Sequence, residues 1–179
     1  MISLNVFFYM FIILFALIGA MRGWARELIV SFSVILAIFI NTVLETFVPF
    51  VRDILTNSGP ANLFWVRVGI LGALVFFGYQ TPNIPKIAAT GRFARDRLQD
   101  ILLGFFFGAI NGYLIWGTAW HYMHVANYPL TAILPPDPNT AAGQASLNML
   151  RYLPPAMLTP PIIYIAIAIA FVFVLVVFI

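Results

Sequence analysis

The chain has 179 residues, 63% of them hydrophobic and 8% charged, where a soluble domain carries about 25% charged residues. No soluble fold of this length hides so much apolar side chain, so the composition points to lipid as the solvent and to one membrane domain. The net charge of +3 is spread over short polar stretches, which argues against nucleic acid as a partner, and the absence of cysteine excludes disulfides, thiolate metal sites and thiol catalysis.

Residues 2–19 carry no charged side chain, and residues 28–48 carry only Glu45. A hydrocarbon core of about 30 Å takes roughly 20 apolar helical residues, so helices over 2–20 and 28–48 are expected to cross it. Between them Gly19-Ala20-Met21-Arg22-Gly23-Trp24-Ala25-Arg26-Glu27 reads as a tight turn at a membrane surface. The first run has no basic stretch ahead of it and the positive charges follow it, so it is read as a retained helix rather than a cleaved signal.

A loop is expected over 49–61, with Arg52, Asp53 and the breaker cluster Asn57-Ser58-Gly59-Pro60. A third helix over 62–79 carries Arg67 in its first turns and stops before Pro82 and Pro85, each of which lacks an N–H and restricts its predecessor. Residues 86–100 are the most charged stretch, with Lys86, Arg92, Arg95 and Arg97 against Asp96 and Asp100. They read as a short interfacial helix ahead of a fourth span over 101–120. Residues 121–161 hold Pro129, Pro135, Pro136, Pro138, Pro154, Pro155, Pro160 and Pro161, a density that argues for a cap rather than a span. Residues 162–179 form a fifth apolar run, whose abrupt end suggests either a longer native chain or an end held against a partner.

The expected fold is therefore an all-α membrane protein, a bundle of about five transmembrane helices with a short cytoplasmic interfacial helix and a proline-rich extracytoplasmic cap. It divides into a four-helix membrane domain (1–125), the proline-rich segment (126–161) and a fifth transmembrane helix (162–179). Placing the first turn and the 86–100 stretch in the cytoplasm puts Arg22, Arg26, Lys86, Arg92, Arg95 and Arg97 inside, against Arg52, Arg67 and Arg151 outside. That positive-inside bias sets the N-terminus outside and the C-terminus inside. Trp24 then marks the inner interface and Trp65, Trp116 and Trp120 the outer one, where amphipathic rings collect.

Gly104, Gly108 and Gly112 recur every fourth residue, which places them on one helix stripe where missing side chains let another helix approach. Glu45 and Arg67 each sit about one turn inside the outer end of a span, so the two are expected to pair and neutralise each other near lipid. Asn41 lies one turn deeper than Glu45 on the same face. His121 and His124, three residues apart, are candidate ligands for a metal, haem or chlorophyll. Two ligands do not make a structural metal site, so no metal is expected and interfacial hydrogen bonding is the simpler reading. No Ser/His/Asp arrangement, phosphate-binding glycine loop or paired catalytic carboxylates appear, so no enzyme activity is expected.

At the first turn, Gly19-x-x-Arg22-Gly23-x-x-Arg26-Glu27 resembles the G-x-x-R-G-x-x-R-E signature of the colicin V production protein (CvpA) family. Asp100-Ile101-Leu102-Leu103-Gly104-x-x-x-Gly108-x-x-x-Gly112 is similar to that family's D-R-L-L-G-x-x-x-G-x-x-x-G stretch. The chain has Asn5 where members carry an acidic residue and Ile101 where they carry arginine. The resemblance spans roughly residues 1–125 and implies a multi-pass protein of a bacterial-type inner membrane, linked to toxin export and envelope maintenance. The expected function is non-catalytic: an accessory or scaffolding subunit whose partners are other integral membrane proteins and lipids, with no cofactor. The alternative is a small transporter or proton conduit lined by Asn111, Asn41 and Glu45.

Overall fold

The computed structural model of the chain describes residues 4–51, 53, 59–80 and 94–178, and all regular structure among them is helical. Four long helices, α1 (Leu4–Arg22), α2 (Trp24–Phe47), α3 (Pro60–Tyr79) and α4 (Ala94–Val125), are each long and apolar enough to cross a membrane. They run alternately up and down. One end of the bundle holds the α1–α2 turn; the other is covered by α5 (Ala141–Met149), a 3-10 turn (Leu150–Tyr152) and the one-turn helix α6 (Pro154–Met157). The chain then returns along α2 as α7 (Ile162–Phe178). Phe39 meets Tyr164 edge-on and Phe32 packs against Phe173, which fixes α7 antiparallel to α2.

The α1–α2 turn is tighter than the sequence suggests, because Gly23 alone separates the two helices. Gly23 takes φ 86°, in the left-handed region that residues with a Cβ rarely adopt, and its N–H bonds the Gly19 carbonyl at 2.9 Å. A Cβ here would also come within 2.8 Å of the Asp100 carboxylate. That carboxylate accepts the Trp24 N–H at 3.2 Å, so a side chain from α4 caps the start of α2 and sits at the positive end of its dipole.

Two expectations about the fourth helix need correction. The charged stretch and the fourth span are not separate helices: α4 is continuous from Ala94 to Val125, and Arg97 and Asp100 lie on its first turns. Nothing between them breaks a helix, since neither proline nor glycine occurs from Ala94 to Leu103. Residues 86–93 lie outside the described residues. The helix also runs past Trp120 and ends where Asn127 and Tyr128 both take φ 55°. Arg52, within the expected loop, likewise lies outside the described residues.

The proline-rich segment does more than cover the bundle. Leu153 is fully buried in one cluster with Phe8, Phe64 and Trp120. Pro154 packs where Gly117 leaves room, eight residues or about 12 Å before the end of α4. The Tyr113 hydroxyl donates to the Tyr152 carbonyl and ties this stretch to α4. Because the segment dips into the bundle, the fifth apolar run enters partway down, and α7 has 17 residues where the other long helices have 19 or more.

The closest packing joins α1 to α4. Gly104 lies against the backbone of Gly19; a Cβ on Gly108 would fall 2.9 Å from Gly19 Cα, and one on Gly112 would fall 2.8 Å from Ile12 Cα. Phe11 stacks on Trp116 at 3.8 Å between ring centroids and continues the seam toward the other end. Trp24 stands at the turn end, and Trp65, Trp116 and Trp120 toward the capped end. Replacing Gly108 by leucine should cost about 3 kcal/mol, the upper part of the overpacking range, because the atoms it meets are backbone that cannot swing aside. Thermal unfolding of the detergent-solubilised protein would measure it.

Candidate functional site

Two polar clusters interrupt the apolar bundle, one near each end. At the turn end the centre is Glu27, on the first turn of α2 and wholly buried. Its Oε1 accepts from Arg22 Nη1 at 2.6 Å, and its Oε2 accepts from Asn111 Nδ2 at 2.8 Å. Asn111 Nδ2 also reaches the Glu27 backbone carbonyl, while Asn111 Oδ1 accepts the Ser31 hydroxyl at 2.7 Å. Arg22 donates through Nη2 to the carbonyl of Tyr79, the last residue of α3, and its guanidinium lies 4.2 Å from the centroid of the Tyr79 ring. The Tyr79 hydroxyl is buried beside the Glu27 carboxylate without a hydrogen bond of ordinary geometry. One residue or more from each of α1 to α4 thus converges on a single carboxylate.

That convergence changes the reading of several residues. Asn111 belongs with Glu27 and not with Asn41, which lies 14 residues, or about 21 Å, farther along α2. Ser31 and Tyr79 were not singled out in the sequence; a serine one turn after a glutamate was the available signal. Arg26 is half-buried on the first turn of α2, and Asp100 holds the helix start described above. The glycines of the turn motif and of α4 face one another, so the two stretches that carry the sequence resemblance meet across the α1–α4 seam.

At the capped end, Arg67 makes a bidentate pair with Glu45, Nε to Oε1 and Nη2 to Oε2, both at 2.7 Å. The guanidinium also lies over the Tyr122 ring, 5.3 Å from its centroid. Asn41 Nδ2 donates weakly, at 3.4 Å, to the Arg67 carbonyl and to the Tyr122 hydroxyl. These groups and His121 line a cavity of about 200 Å³ that is bounded on the far side by Pro155, Leu158 and Thr159. The Nδ1 atoms of His121 and His124 are buried without hydrogen-bond partners, and the His124 ring meets Tyr128 edge-on. Among the described residues no three His, Asp or Glu side chains gather as a metal site would require. The cavity is smaller than the roughly 300–1,000 Å³ of sites that enclose a drug-sized ligand.

Between the clusters the bundle is apolar. Val34, Ala37 and Ile38 of α2 pack with Leu71, Leu114 and Ile163 in a single buried layer. Ser31 and Asn41 are ten residues, or about 15 Å, apart along α2 across it. Thr118 is buried on α4 near this level, and its hydroxyl has no hydrogen-bond partner.

A carboxylate taken out of water costs several kcal/mol and is tolerated because Arg22 and Asn111 compensate it. Arg22→Met alone should therefore destabilise the protein by about 3–5 kcal/mol, and adding Glu27→Leu should recover part of the loss, read as midpoints of denaturant-induced unfolding in micelles. Charge reversal at Glu45 or Arg67 should cost less, ~1 kcal/mol, because that pair is partly exposed. The double swap should restore some stability, and its failure to do so would rule out pairing as the reason for these residues. Compared with protein families, curated proteins and solved structures, the chain matches none.

Proposed function

We propose that the protein is a non-catalytic integral membrane subunit that packs laterally against other membrane proteins as an accessory or scaffolding component. The observation that carries this reading is the outward face of α3. Asn62, Trp65, Gly69, Gly72, Ala73 and Phe76 recur there at helical spacing and are exposed, and Gly69 and Gly72 have no neighbouring atom within 4 Å of where a Cβ would stand. Small residues framed by aromatics form a notch for a second helix, since close backbone approach is a principal source of helix–helix affinity in lipid. Gly104, Gly108 and Gly112 of α4 are not available for this role, being used against α1.

The charge distribution and the resemblance to the CvpA family support a bacterial-type inner membrane, with the α1–α2 turn and the start of α4 on the cytoplasmic side. In that orientation Arg26 and Arg97 stand where lipid phosphates or a cytoplasmic partner would meet them. The second reading, a proton or solute conduit, draws on the polar cavity at the capped end. The apolar layer of Val34, Ala37, Ile38, Leu71, Leu114 and Ile163 opposes it, because a polar solute crossing it would be stripped of hydrogen bonds.

Two measurements test the choice. Gly69→Leu with Gly72→Leu should leave the unfolding temperature of the purified protein near that of the parent while abolishing its co-migration with larger assemblies in native gels of gently solubilised membranes. The chain has no cysteine, so a single cysteine at Ala37 can be probed directly. Resistance to a polar maleimide is the expected result, and rapid labelling from either side would favour the conduit.

A further inference from the structure

The cavity at the capped end has a property that neither a scaffold nor a sealed bundle requires. It presents one positive and one negative group side by side, Arg67 and Glu45, and among the described residues no other Arg, Lys, Asp or Glu lines it. An anion placed there meets Glu45, and a simple cation meets Arg67. A ligand with both charges a few bonds apart meets neither penalty. Between themselves the two side chains use two of the five guanidinium N–H donors and one lone pair on each carboxylate oxygen.

We propose that this cavity binds the headgroup of a zwitterionic phospholipid of the ethanolamine type, with the phosphate toward Arg67 and the ammonium toward Glu45. A primary ammonium has N–H groups to donate to the Glu45 carboxylate; a quaternary choline has none. A phospholipid is favoured over a dissolved zwitterion by position. The cavity lies among α2, α3 and α4, toward the end where Trp65, Trp116 and Trp120 collect, which in the proposed orientation faces the outer headgroups. Ile38, Val125 and Leu158 supply apolar wall beside the polar groups, as a glycerol backbone and the first methylenes of acyl chains would need. Its volume of about 200 Å³ suits a headgroup and not a larger solute.

The test uses the full chain, purified in detergent, stripped of lipid and titrated with phosphatidylethanolamine, phosphatidylcholine or phosphatidylglycerol of identical acyl chains. Lipid adducts surviving collisional activation in native mass spectrometry are counted, and thermal unfolding is followed in parallel. Ethanolamine lipid should be retained about tenfold more than either of the others, the factor expected from one additional hydrogen bond to a charged group. Val125→Trp, at an exposed lining position, obstructs the cavity and leaves the Glu45–Arg67 pair in place; it should abolish the preference without lowering the lipid-free unfolding temperature. Should that variant fold poorly, Thr159→Trp, at an exposed lining position, obstructs the same space from the cap side. Equal retention of the three lipids, or an unchanged preference in the folded variants, overturns the proposal. Soluble glycerophosphoethanolamine stabilising the protein as strongly as the lipid would also overturn it, making the ligand a free zwitterion.

Discussion

Everything at the turn end of this bundle depends on keeping the Glu27 carboxylate compensated away from water. Arg22 approaches from the end of α1, Asn111 from the middle of α4, and the same arginine holds the terminal carbonyl of α3. Sliding any one of the four helices by a turn would leave a charge or a buried amide unpaired. Relative to well-packed apolar residues, such a network adds little stability, but it penalises the alternatives strongly. In lipid, where apolar faces of helices are interchangeable, that penalty is a means of fixing register which hydrophobicity cannot supply.

The glycine seam works toward the same end by a different force. Gly19, Gly104, Gly108 and Gly112 let the backbones of α1 and α4 touch, and dispersion contacts over that length replace the burial term a soluble helix pair would use. Gly23 and Asp100 then join the two devices: the positive φ brings α2 back at once, and the α4 carboxylate caps it. Seam, cap and ion pair together make α1, α2 and α4 one unit. Against it α3 and α7 pack by one face each and leave the other to lipid or protein. The capped end is built more loosely, with a partly exposed ion pair, weak amide contacts and a cavity. That asymmetry is why a ligand is placed at one end and a structural role at the other.

The long apolar runs were legible because their signal is composition over some 20 residues, which does not depend on neighbours. The turn was legible in outline through Gly19, Arg22 and Gly23, and the stripe of Gly104, Gly108 and Gly112 through its spacing. The continuity of α4 across its charged start was not, because charge marks where a helix leaves the membrane and not where it ends. Nor was the descent of Leu153 and Pro154 into the core, since proline density reads as loop wherever the loop travels.

The sequence by itself marked five apolar runs and the levels of the charged residues among them, because both follow from local composition and the thickness of a bilayer; four of the runs form helices of membrane length, and the fifth is shorter. Matching depths brought Glu45 and Arg67 to the same level. Only the tertiary structure decided which polar groups meet, since depth is one coordinate and pairing needs the other two. It assigned Asn111 to Glu27 and not to Asn41, turned the glycine stripe inward onto α1 and left the small residues of α3 facing out. Those choices rest on which faces of the helices are turned toward one another, and a run of residues that is apolar all round does not encode its own facing.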